Sequence, residues 1–109
     1  MLLTEVARTI RSKNAGSFMI TVEIIFDNNA VYQCIKENDY ITRHTIAATY
    51  AVDDSAILDF VYYDPGMGIK ANFRRQQPSG GPGETDVYGC QQYAPLLRLE
   101  IPDDVRDLL

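Results

Sequence analysis

Between residues 18 and 26 apolar side chains alternate along the chain. Phe18, Ile20, Val22, Ile24 and Phe26 fall on one face, and Met19, Thr21, Glu23 and Ile25 on the other. A period of two predicts a strand whose first face is core. The second face is mixed, more apolar than a face wholly in water requires. Ile57 to Tyr63, dense in aromatic and β-branched residues, predicts another strand. Asp64-Pro65-Gly66-Met67-Gly68 is a turn signal, after which Ile69 to Arg75 returns as the hairpin partner with Ile69, Ala71 and Phe73 inward. Leu96 to Ile101, with Leu97, Leu99 and Ile101 set between Arg98 and Glu100, predicts a last strand.

Helical spacing governs the other segments. Leu3, Val6, Ala7 and Ile10 share one face of a first helix capped by Thr4 and stopped by Asn14-Ala15-Gly16. Asp27-Asn28-Asn29 starts a second helix that runs to about Glu37, with Val31, Cys34 and Ile35 inward. Thr42 caps a third, where Ile41 and Ile46 stand at staple positions. The predicted fold is α+β, one domain spanning residues 1–109. It is a ferredoxin-like split β-α-β sandwich, with a four-stranded, mostly antiparallel sheet and helices on one face. The strands at 18–26 and 57–63, joined by a helical crossover, are expected to run parallel in one sheet.

A segment without either period lies before the last predicted strand. Pro78 to Pro95 holds four of the seven glycines together with Asp86, Tyr88, Gln91 and Gln92. A long loop this rich in hydrogen-bonding side chains is expected to be ordered and to form a site wall, since a plain tether needs only reach. Its run Ser79-Gly80-Gly81-Pro82-Gly83 lacks the Lys-Ser/Thr of a phosphate loop and reads as a hinge.

Charge and cysteine content narrow the functions. A formal charge of −5 and a pI near 4.6 oppose nucleic-acid binding. No apolar run reaches the length of a membrane span, and the first residues lack a basic-then-apolar leader, so a cytoplasmic protein is expected. Cys34 and Cys90 are expected as free thiols, with Cys90 structural. One histidine, His44, and no Cys-x-x-Cys point to no metal site and no cofactor, and His44 reads as a solvated surface residue.

Three segments carry a resemblance: Ile10-Arg11-Ser12-Lys13-Asn14-Ala15-Gly16, the Asp64-Pro65 turn, and Thr85-Asp86-Val87-Tyr88-Gly89-Cys90-Gln91-Gln92-Tyr93-Ala94-Pro95-Leu96. Together they resemble a small single-domain family of unknown function. That family is similar to the ferredoxin-fold C-terminal domain of acyclic-terpene-utilisation A-type proteins, and its members are often encoded beside such proteins. The resemblance implies an accessory role in the catabolism of acyl and carboxylic acids, and it brings no catalytic residues with it.

Two functions follow as expectations. In the first, the chain is an accessory subunit or interaction module that docks on such an enzyme, or on a second copy of itself as a homo-oligomer. It does so through the second sheet face, where Met19, Ile25, Val61 and Tyr63 lie among few charges. In the second, it is a small hydro-lyase or isomerase acting on a carboxylate. Arg11, Lys13, Asn14, Arg74 and Arg75 are expected at one end of the sheet, where guanidinium groups can fork onto an acid. Asp86, Tyr88, Gln91 and Gln92 complete that candidate site, with Asp86 or Tyr88 moving the proton.

Overall fold

The computed structural model describes residues 1–16, 18–74 and 93–109. Four strands, β1 (Ala7–Asn14), β2 (Met19–Phe26), β3 (Ile57–Tyr63) and β4 (Gly68–Arg74), form one antiparallel sheet in the order β1-β2-β4-β3. Two helices, α1 (Asn29–Glu37) and α2 (Arg43–Thr49), join β2 to β3 and pack on one face. β2 and β3 are each antiparallel to β4, so they run in the same direction with β4 between them.

The caps of α1 and α2 lie where the sequence puts them. Asn28 Oδ1 accepts from the Val31 N–H at 3.2 Å and opens α1. Thr42 and Thr45 exchange side-chain and backbone bonds at the start of α2, while Ile41 before the cap and Ile46 one turn on are both fully buried. The core is the alternation of β2 and β4 made physical: Ile20, Val22, Ile24, Phe26, Ile69, Ala71 and Phe73 are all buried, whereas Phe18, expected with them, precedes β2 and is 63% exposed. On α1 the inward residues are Val31, Tyr32 and Ile35, with Cys34 half-buried and its thiol free.

Both ends of the chain depart from the expected elements. The first helix is instead a 3-10 turn, Leu3–Glu5, followed by strand β1. Leu3 and Val6 are buried in the turn, and Ile10 lies beside Ile24 in the sheet, so residues at helical spacing are shared between two elements. The physical reason is β2: its alternation is that of a central strand, and without β1 its main chain would be a bare edge. The expected last strand, 96–101, is a 3-10 helix, Ala94–Arg98, with Pro95 in its first turn, leaving only the bridge Leu2↔Glu100. Leu96 is therefore buried and Leu97 is 40% exposed, the reverse of the alternation. The fourth strand of the sheet thus comes from the N-terminus and not the C-terminus.

The two termini are tied together. Leu3 N–H donates to the Leu99 carbonyl at 2.9 Å, and Ile101 N–H to the Met1 carbonyl at 2.8 Å. The Met1 ammonium reaches Asp103 at 2.5 Å.

Candidate functional site

The sheet's second face is the one that α1 and α2 leave uncovered. Direct cross-strand partners share a face, so the register lays out its rows. One row runs Thr9, Ile25, Gly68, Tyr63; the next Arg11, Glu23, Lys70, Val61; the next Lys13, Thr21, Asn72, Asp59; and Met19 faces Arg74 at the end. The face is more charged than the sequence reading held. It carries Arg11, Lys13, Lys70 and Arg74 against Glu23 and Asp59, a basic excess on a chain of net charge −5.

Part of this charge is spent within the face. Arg11 Nη2 donates to Glu23 Oε2 at 2.9 Å. Thr21 Oγ1 donates to Asn72 Oδ1 at 2.6 Å, and Asn72 Nδ2 to Asp59 Oδ2 at 3.2 Å, a polar ladder crossing three strands. Among the described residues Lys13, Lys70 and Arg74 make no ion pair. On the helical side, by contrast, Lys36 is paired with Asp64 at 2.8 Å and Arg106 with Glu5 at 3.5 Å.

Above the Arg11–Glu23 pair the face is hollowed. Gly68 has no side chain, so Ile25, Val61 and Tyr63 wall a concavity of about 360 Å³ with Lys70 on its rim. Tyr63 is 59% exposed and Val61 48%, large apolar groups left in water. The Tyr63 ring lies against Gly66, where a Cβ would come within 3.2 Å of it. Sequence reasoning placed Ile25, Val61 and Tyr63 on this face but missed Lys70 and Gly68. Their signal was the parity of β4: Lys70 stands between the inward Ile69 and Ala71, and a glycine inside a strand pattern marks a close approach or a hollow.

Because residues 11–14 are a strand, they do not form one wall. Arg11 and Lys13 lie on the open face, whereas Asn14 pairs with Ile20 on the helical face. Arg74 shares the open face and the same end of the sheet as Lys13. Arg75, Asp86, Tyr88, Gln91 and Gln92, like Cys90, lie outside the described residues.

Two polar clusters were not foreseen. Asp64, in the β3–β4 turn, accepts from Tyr32 Oη at 2.7 Å and from Lys36 Nζ at 2.8 Å. The Lys36 ammonium and then the Tyr32 hydroxyl hold its carboxyl below the usual range. Burial, followed by that same hydrogen bond, pushes the Tyr32 phenol up. His44 Nδ1 stands 3.0 Å from Asp54 Oδ1, both well exposed. Among the described residues no group of three His, Cys, Asp or Glu side chains is placed to hold a metal, and no helix is long and apolar enough to cross a membrane.

An antiparallel sheet with helices on one face and a hollowed, basic second face defines a small α+β domain. Residues 3–100 match the model of a family described as a domain of unknown function, DUF4387, and the chain belongs to that family. No curated protein and no solved structure matches the chain.

Proposed function

We propose that the chain is an accessory interaction module whose open sheet face docks a larger enzyme of the acyclic-terpene-utilisation A type, one acting in acyl or carboxylic acid catabolism. The observation that carries this reading is the open face itself. It joins exposed Val61 and Tyr63 to three cations, Lys13, Lys70 and Arg74, that have no ion-pair partner among the described residues. An apolar centre with a charged rim is the anatomy of an interface, and the sign of the rim selects a partner patch rich in carboxylates. Two copies face to face would bring like charges together, so the sign favours a different protein on this face.

The strand arrangement supports a ferredoxin-like relationship. β2, α1–α2, β3 and β4 make the split β-α-β unit, and β1 occupies the outer position beside β2 that a C-terminal strand would otherwise take. On this reading the chain is the detached counterpart of the C-terminal domain of such enzymes.

Titration calorimetry of the chain with an acyclic-terpene-utilisation A-type enzyme tests the proposal. Binding is expected to weaken with added salt. Lys70→Glu with Arg74→Glu is expected to weaken it at least tenfold with little change in melting temperature, as both side chains are exposed. Unchanged affinity in that variant, or no complex at low salt, overturns it.

One observation favours a second reading, a site for a small carboxylate substrate of a hydro-lyase or isomerase. The concavity is of ligand size, and Arg11 and Lys70 line it. A panel of carboxylates at a hundredfold excess over Kd is then expected to stabilise the fold by ~2.7 kcal/mol. A flat melting temperature across the panel excludes that reading.

A further inference from the structure

Strand β3 is one edge of the sheet. In an antiparallel strand, successive residues turn their N–H and C=O groups alternately to the two sides. Phe26 N–H donates to the Met67 carbonyl at 2.9 Å, which makes that pair a hydrogen-bonded one. By the period of two, Ile24/Ile69, Val22/Ala71 and Ile20/Phe73 are hydrogen-bonded pairs as well. Gly68, Lys70 and Asn72 must therefore turn their main chain toward β3, where they meet Tyr63, Val61 and Asp59. The groups left pointing outward from β3 are the N–H and C=O of Phe60 and Tyr62. Among the described residues no hydrogen bond beyond the ladder uses them. The start of the strand is closed differently, since Arg43 Nη1 donates to the Ile57 carbonyl at 3.0 Å.

The two edges of the sheet differ in chemistry. β1 carries Arg8, Arg11 and Lys13, the charged dressing by which edge strands resist pairing. From Phe60 to Tyr63, β3 carries no charge. Phe60 and Tyr62, on the core side, are only half-buried, with ring centroids 5.6 Å apart. The core is thus incompletely covered along this edge.

We propose that the chain forms a two-fold dimer in which β3 pairs antiparallel with β3 of a second copy, centred on Val61. With outward groups at Phe60 and Tyr62, that centre lets each copy's Phe60 exchange both main-chain bonds with the partner's Tyr62. Centring on Tyr62 would set Phe60 against Asp64, already in the turn, and centring on Phe60 would draw in Leu58, where the register with β4 shifts. In the Val61 register, Val61 meets the partner's Val61 across the axis. Asp59 meets the partner's Tyr63, so a phenol donor faces a carboxylate and no like charges stand opposite. The hydrophobic cluster of Phe60 and Tyr62 is continued by its symmetry mate on the helical side. The two open faces become one continuous surface.

Sedimentation of the chain alone tests this, so the outcome is independent of any enzyme docked on the open face. A concentration-dependent dimer is expected. Val61→Lys sets two cationic side chains directly opposite across the axis, their Cβ atoms roughly 5 Å apart, and is expected to give monomer, as is Val61→Glu. An equimolar mixture of the two is expected to recover the dimer, since opposite charges then meet. The register is read with cysteines in a Cys34→Ser, Cys90→Ser background. Val61→Cys is expected to form a disulfide-linked dimer on mild oxidation, and Tyr63→Cys is not. A monomer at all concentrations overturns the proposal. So does a dimer indifferent to charge at position 61, or one that Tyr63→Cys cross-links as readily as Val61→Cys.

Discussion

Asp64 ties the β3–β4 turn to α1 through Tyr32 and Lys36, and each partner leaves a separate trace. Tyr32 is fully buried, so Tyr32→Phe removes a hydroxyl that water does not replace. A loss of about 1 kcal/mol is expected, read by chemical denaturation. The carboxyl titrates below its ordinary value when folded, first through Lys36 and then through Tyr32. Its share of stability is thus present above the unfolded value of 3.8 and is lost as pH falls below it. Asp103, lowered chiefly by the Met1 ammonium, acts with the same sign. Acid unfolding curves are expected to flatten in Asp64→Asn. At the alkaline end the sign reverses. Burial holds the Tyr62 phenol up to about 12, so stability is present below its ordinary value of 10.0 and is lost as pH rises from there toward 12. Tyr62→Phe is expected to reduce that alkaline loss in melting curves taken across this range.

Among the elements, β2 bears the most weight, paired on both sides and buried along one whole face. Ile24→Ala, at 1% exposure between β1 and β4, is expected to cost 2–5 kcal/mol by denaturant titration, with the spread set by how far the cavity collapses. The elements most legible in the sequence were those whose local signals agreed with their packing. β2 and β3 announced themselves by period and composition, and α1 and α2 by Asn28 and Thr42 at their caps. β1 was illegible because its core-facing positions include Ser12, buried yet polar, while Leu3, Val6, Ala7 and Ile10 imitate a helical stripe. Its conformation is fixed by the neighbouring edge of β2, a contact no local window contains. The segment 94–98 misled in the opposite sense: Leu96 and Leu99 pack toward the core at a spacing of three under the control of Pro95, whereas Leu97 and Leu99 read as a strand's alternation. Of the candidate site, the apolar half of the open face was readable by parity. The cations were expected together at one end of the sheet, and their spread along the open face, with Lys70 among them, emerged only once residues 11–14 proved to be a strand.

At the scale of the whole molecule, the described residues of the open sheet face carry four cations against two carboxylates, on a chain of net charge −5. Gly68→Ala separates docking from folding on that face. A Cβ there meets the Ile24 carbonyl oxygen at 3.5 Å and Ile25 Cγ1 at 3.8 Å, ordinary contacts, so the fold is expected to hold or to gain a few tenths of a kcal/mol. The concavity is shallower for the added methyl, and calorimetry is expected to show weaker docking. The most direct measurement uses the three lysines of the chain, Lys13 and Lys70 on the open face and Lys36 on α1. Amine acetylation rates would be measured by mass spectrometry on the chain alone and mixed with the proposed partner, an acyclic-terpene-utilisation A-type enzyme. Slower modification of Lys13 and Lys70, with Lys36 unchanged, is the expected result. Protection of Lys36 alone would place the partner on the helical layer and contradict the account.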